Sequence, residues 1–161
     1  MDKSPQGHID EDIKPLLEKI NKHKEYETTS SCSGRIVLLE NQKKGTTAWK
    51  FKSHTKVNVE DVWKNLSEDN IWFMQEPMIL HVKCKDLESA KELIDKANKV
   101  GFKAAALSPK TFTVVIQGVE KIETILNKKL ISKEYLTLLV EEANKKLLAT
   151  KKRMKELENL F

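Results

Sequence analysis

Residues 28–33 place six small hydroxyl or thiol side chains in series: Thr28, Thr29, Ser30, Ser31, Cys32 and Ser33. Gly34, Arg35 and the apolar run Ile36-Val37-Leu38-Leu39 follow directly. Small polar side chains compete locally for backbone hydrogen bonds, so the series is expected as a turn. Such a turn can aim N–H groups and hydroxyls at one anionic or polar ligand, and Arg35 adds a planar fork of donors. A polar loop leading into a strand is the other open reading. Cys32-Ser33-Gly34-Arg35 is too short for a phosphatase loop, in which cysteine and arginine bracket a full ring of amides. A nucleophilic Cys32 would also need a basic partner, and His23 is the nearby histidine in sequence. Cys32 is therefore read as a packing thiol.

Three further residues could do acid–base or binding work. His81 shares a strand face with Ile79 and Lys83, where it is either hydrogen-bonded in the core or directed into a site. His54 closes the strand that begins near Trp49. Glu76 precedes Pro77 and could turn a carboxylate toward the His81 strand. The five glycines, Gly7, Gly34, Gly45, Gly101 and Gly118, never stand at GxG spacing. No dinucleotide or P-loop fingerprint exists. Two distant cysteines and four scattered histidines give no zinc spacing, and no metal is expected.

The elements that must hold these residues are legible in the periodicity. A helix or helix pair is expected from Ile9 to about Lys24, with Pro15 either breaking it or marking a first turn near Lys14. Arg35–Glu40 reads as a strand apolar on both faces, hence central in a covered sheet. A turn with Lys43, Lys44 and Gly45 leads to a half-buried strand from Ala48 to Ser53, with Trp49 and Phe51 on one face. Asn58 can cap a helix to Leu66, and strands are expected at Ile71–Gln75 and Met78–Cys84. Asp86 can cap a helix to Val100, buried through Leu87, Ala90, Leu93, Ile94 and Ala97 and stopped by Gly101. Extended segments follow at Phe102–Leu107, Thr111–Gln117 and Lys121–Leu126. Ser132 can cap a long terminal helix, with Tyr135, Leu138, Leu139, Ala143, Leu147, Met154, Leu157 and Phe161 as its apolar residues. Its second half carries Lys145, Lys146, Lys151, Lys152 and Arg153, a solvated face or a phosphate-contacting one.

These elements imply an α+β class: a mixed, largely antiparallel β-sheet flanked by helices, with a long C-terminal helix. One domain over residues 1–161 is expected, with residues 1–8 loose and residues 132–161 as the basic helix. A net charge of +5 permits a nucleic-acid partner without requiring one. The apolar runs are too short to span a membrane and the N-terminus has no apolar signal core, so the cytoplasm is expected.

Thr28-Thr29-Ser30-Ser31-Cys32-Ser33-Gly34-Arg35-Ile36 resembles the signature of the wybutosine-biosynthesis N-methyltransferases, the third protein family of that tRNA-modification pathway. Trp49 with His54, Glu76-Pro77 with Leu80-His81-Val82 and Cys84, and Ala90, Ala97 and Gly101-Phe102 agree in order and rough spacing. Tyr135 and the lysine-rich end also match, so the resemblance runs from about Ile9 onward. Ala104-Ala105-Ala106 departs from it, where relatives carry a small polar residue and a glycine.

The resemblance implies methyl transfer from S-adenosylmethionine to a ring nitrogen, N-4, of a 7-(3-amino-3-carboxypropyl)-demethylwyosine-type base. That base lies 3′-adjacent to the anticodon of tRNA-Phe. It implies a fold other than the Rossmann type. Ser30, Ser31, Ser33 and Gly34 would line the site. Arg35 would meet a carboxylate of cofactor or base, and His81, or else His54, would accept a proton. Glu76 would belong to the same site. Trp49 would stack on the base or pack in the core. Lys145, Lys146, Lys151, Lys152 and Arg153 would follow tRNA phosphates. The rival reading is a non-catalytic RNA-binding module of tRNA modification.

Overall fold

The structure, a computed structural model, describes residues 9–40, 48–103, 107–108 and 110–161. The expected loose start at 1–8, the turn with Lys43, Lys44 and Gly45, and the stretch Ala104–Ala106 lie outside the described residues. The α+β class holds. The strands form two four-stranded sheets, with every pairing of named strands antiparallel. Two compact units result: residues 1–33, 77–119 and 150–161 in the first, and 34–76 and 120–149 in the second.

In the first unit a short 3-10 turn, Glu11–Ile13, enters helix α1, Lys14–Asn21. Pro15 sits in the first turn of α1, where a missing N–H costs nothing. Strand β1, Tyr26–Cys32, borders a sheet ordered β1-β5-β7-β6. Strand β5 is Ile79–Cys84, β6 is Leu107–Ser108 and β7 is Thr113–Gln117. Helix α3, Leu87–Lys99, starts at a reciprocal capping box between Asp86 and Ser89. It stops at Gly101, whose φ of +82° suits glycine. Leu16, Leu17 and Ile20 of α1 share a core with Leu80, Val82, Leu93, Val114 and Ile116. Two expectations are corrected here. Leu87 is exposed rather than part of the α3 stripe, because it occupies the first helical position. Among its described residues, the expected strand Phe102–Leu107 contributes an isolated bridge, Lys103 to Gln117, and the start of β6.

Residues 28–32 are also corrected: they form most of β1 instead of a turn. An edge strand tolerates small polar side chains on its outward face, and here local hydrogen bonds close that edge. The Thr28 N–H donates to Asn21 Oδ1 at 2.9 Å, and Asn21 Nδ2 donates to Thr28 Oγ1 at 2.8 Å. The register slips between Thr28 and Ser30, and the Thr29 hydroxyl donates to the His81 carbonyl at 3.3 Å. The turn survives only beyond Ser33, at Gly34 with φ +95°.

The second unit is a sheet ordered β3-β2-β4-β8. Its strands are β2 Arg35–Leu39, β3 Trp49–Ser53, β4 Ile71–Glu76 and β8 Ile122–Leu126. Helix α2, Val59–Asn65, is capped by Asn58, which accepts from the Asp61 N–H at 2.8 Å. Strand β2 is interior and buried on both faces, as its sequence requires. Ile36, Leu38, Ile71 and Phe73 pack with Val62 and Leu66 beside α4, Lys133–Glu158, which Ser132 caps through the Tyr135 N–H.

The buried stripe of α4 here is Leu136, Val140, Ala143 and Leu147. Tyr135 and Leu138, counted among the helix's apolar residues, are exposed. Two adjacent apolar stripes run along this helix, and packing selects the one with steady steps of three and four residues. Trp49 and Phe51 were expected on one face, and a bulge separates them. Leu38 pairs with Phe51 and Leu39 with Trp49, so one residue of β3 is extra. Phe51 joins the helix-side core. Trp49 joins Arg35 and Lys52 on the opposite face.

Candidate active site

The expected site residues divide between the two units. Gly34, Arg35, Trp49, His54 and Glu76 lie in the second. Arg35 opens β2 and Glu76 closes β4, and the antiparallel register sets them directly opposite. Arg35 Nε donates to Glu76 Oε2 at 2.5 Å, with 26% and 29% of the two side chains exposed. A charge-assisted bond in such a half-buried position contributes about 1.5–3 kcal/mol. The guanidinium carbon stands 4.7 Å from the Trp49 ring centroid, and Lys52 Nζ stands 5.9 Å from it. Trp49 is 42% exposed, so it presents an open aromatic face flanked by cations. His54 Nδ1 lies 3.1 Å from the Gly34 carbonyl oxygen. A carbonyl only accepts, so Nδ1 carries the proton.

Arg35 therefore already holds one carboxylate, that of Glu76. Its terminal nitrogens make no further hydrogen bond among the described residues, which leaves donors for a second acid. Glu76 fixes the plane of the fork, a role its sequence position next to Pro77 did not show.

Ser30, Ser31, Ser33 and His81 lie in the first unit. Ser30 pairs with His81 across β1 and β5, and Ser31 pairs with Leu80. The Ser33 N–H donates to Asp10 Oδ2 at 2.8 Å, a contact that no spacing in the sequence announces. Ser33 is fully buried and its hydroxyl has no partner; His81 Nδ1 is equally shielded and unpartnered. Among the described residues of this unit, these are the two buried side-chain polar atoms in that state. Leaving such a group unpaired costs about 1–3 kcal/mol, and it persists where a ligand or water supplies the bond.

The basic residues of α4 are individually engaged. Lys145 and Lys146 each lie 3.7 Å from Glu142, and Lys152 lies 3.9 Å from Glu156. Lys151 pairs with Asp12, and the Arg153 side chain lies against Gly101. Among the described residues no helix is long and apolar enough to cross a membrane.

Fold and site define an α+β protein on antiparallel sheets, with its chemistry-bearing groups at strand ends and on an edge strand rather than on a glycine-rich crossover. A sequence model of the family described as Methyltransferase TYW3 matches residues 1–161, and the chain belongs to that family. A relative from Pyrococcus furiosus, tRNA(Phe) 7-((3-amino-3-carboxypropyl)-4-demethylwyosine(37)-N(4))-methyltransferase 1, is 37% identical. That match covers 96% of this chain and 85% of the relative. The tRNA wybutosine-synthesizing protein 3 homolog of Danio rerio is 35% identical over 95% of this chain and 66% of its own length. The solved PH1069 protein of Pyrococcus horikoshii superposes with a TM-score of 0.85 at 35% identity, covering 97% of this chain and 87% of that one. A protein from Aeropyrum pernix shares the fold, with a TM-score of 0.74 at 23% identity over 94% of this chain and 98% of its own.

Proposed function

We infer that this chain transfers a methyl group from S-adenosylmethionine to N-4 of a 7-(3-amino-3-carboxypropyl)-4-demethylwyosine-type base in tRNA-Phe, in the cytoplasm. Kinship along nearly the whole chain to an archaeal protein named for that reaction carries the reading. The two shielded, unpartnered atoms, Ser33 Oγ just past β1 and His81 Nδ1 on β5, support it, because they lie in the segments that bear the family resemblance.

S-adenosylmethionine supplies a methyl group already activated on sulfur, so the task left to the protein is positioning. The Ser33 hydroxyl and His81 Nδ1 hydrogen-bond polar edges of cofactor or base. The open donors of Arg35 meet a carboxylate, either of the cofactor's methionine part or of the base's side chain. Glu76 holds the guanidinium in plane for that contact. Trp49 stacks on the tricyclic base. If the acceptor nitrogen holds a proton, His81 is the first candidate to take it and His54 the second. Lys145, Lys146, Lys151 and Lys152 exchange their acids within the protein for tRNA phosphates, and Arg153 meets phosphate beside them.

Methyl incorporation into hypomodified tRNA-Phe tests the assignment. Replacing Arg35 by Ala is expected to lower kcat/KM by about tenfold or more, the worth of one charge-assisted bond. His81→Asn should lower kcat in a protein that still folds. Unchanged turnover in both variants removes these roles. Calorimetry with S-adenosylmethionine separates the enzyme from a non-catalytic RNA-binding module, which would take up RNA alone.

A further inference from the structure

One face of the first unit's sheet turns away from its helices. Leu80, Val82, Val114 and Ile116 point into the core shared with α1 and α3, and alternation sends their neighbours to the other face. The antiparallel register arranges that face in rows. Ser30, His81 and Val115 form one row, and Glu27, Lys83 and Thr113 form the next. The two rows stand about 7 Å apart along the strands. None of the six residues is buried, and Glu27 and Lys83 are exposed. Among the described residues Lys83 makes no ion pair, although Glu27 stands directly across from it. Thr113 Oγ1 lies 2.7 Å from Thr111 Oγ1, and in either sense of that bond Thr113 keeps an open lone pair.

We propose that Lys83, with Glu27 and Thr113 in its row, reads a 3-amino-3-carboxypropyl arm whose other end lies at the His81 row. The proposal rests on the methyltransferase reading and adds specificity residues to it. The acceptor base of that reading carries such an arm, and the methionine part of S-adenosylmethionine is the same group on sulfur. The reaction thus brings two carboxylates together, and Arg35 provides donors for one of them. The Lys83 ammonium meets the other on a flexible four-carbon stem. The arm's own ammonium donates to the Glu27 carboxylate and to Thr113 Oγ1. A cation and an acid in one row suit a zwitterion and suit a phosphate poorly, because Glu27 repels it. The shielded, unpartnered Nδ1 of His81 marks the neighbouring row as the place where the rest of the ligand is held.

The test compares dissociation constants of wild type and Lys83→Ala for two matched pairs of ligands. One pair is tRNA-Phe bearing the base with its arm and tRNA-Phe bearing 4-demethylwyosine, which has none. The other is S-adenosylmethionine and 5′-methylthioadenosine, which also lacks the arm. Lys83→Ala is expected to weaken one armed ligand about tenfold or more, the worth of one charge-assisted bond, and to leave its armless partner unchanged. A loss confined to the armed tRNA assigns the contact to the base, and a loss confined to S-adenosylmethionine assigns it to the cofactor. Equal affinities of wild type and variant for both armed ligands overturn the proposal. So does a loss of the same size with and without the arm, which a structural role for Lys83 would give. Methylation by wild type is scored separately. Its absence defeats the methyltransferase reading, whereas methylation with an indifferent Lys83 defeats this assignment alone.

Discussion

Burial pushes the phenol of Tyr26 up from 10.0 to about 12, with the Glu92 carboxylate as the next cause. It pushes the Cys84 thiol up from 9.0 to about 11, with Asp86 adding to the effect. Both groups belong to the core of the first unit, where the Tyr26 hydroxyl donates to the Ser89 carbonyl at 3.2 Å. The folded chain thus holds protons that the unfolded chain releases first. Stability is full below about pH 9 and falls as the pH rises through the folded values near 11 and 12. Melting temperatures taken from pH 8 to pH 12 should drop more steeply in wild type than in Tyr26→Phe, which has no phenol to ionise. Parallel curves would contradict the assignment. At this scale the sequence marked candidate residues but not what they touch. Arg35 and Glu76 lie 41 positions apart, and only the β2–β4 register makes them partners. Asp10 reaches Ser33 across 23 positions with no motif to announce it.

Elements were legible where a local signal fixes them. Asn58, Asp86 and Ser132 cap the helices they were expected to cap, because capping needs only a few neighbouring residues. Residues 28–32 were misread because their turn chemistry is local, while their strand is imposed by pairing with β5 some fifty positions later. The β3 bulge and the phase of α4 were hidden for the same reason: partners far along the chain decide both. Gly118 shows a further non-local constraint. A Cβ there would stand 2.5 Å from Pro77 Cβ and 2.8 Å from Thr150 Oγ1. Its own N–H donates to the Met78 carbonyl at 2.9 Å, and the Met78 N–H donates to Thr150 Oγ1 at 3.2 Å. Two segments of the first unit, 77–119 and 150–161, therefore meet where only a hydrogen fits. Gly118→Ala should destabilise the chain by about 1–3 kcal/mol, the usual cost of overpacking. Urea unfolding measures it, and a midpoint equal to wild type would show that Pro77 and Thr150 yield without cost.

Neither unit is a continuous piece of chain. The first is assembled from three segments and the second from two, with crossings after Ser33, Glu76, Val119 and Ala149. The last crossing falls inside α4, which runs unbroken from Lys133 to Glu158. Leu136, Val140, Ala143 and Leu147 bury it in one core, and Met154 and Leu157 in the other. Loss of either core removes the packing that holds half of a shared helix, and an isolated half-helix is marginal in water. Two discontinuous units joined by such a helix are therefore expected to unfold together, as one domain in the thermodynamic sense. The tryptophans separate the signals. Trp49, Trp63 and Trp72 all lie in the second unit, so their fluorescence reports that unit alone. Amide exchange along β5 and β7 reports the first. Coincident urea midpoints from the two probes would establish a single cooperative domain. An earlier midpoint for either would show that α4 parts near Thr150 and that the units fold independently.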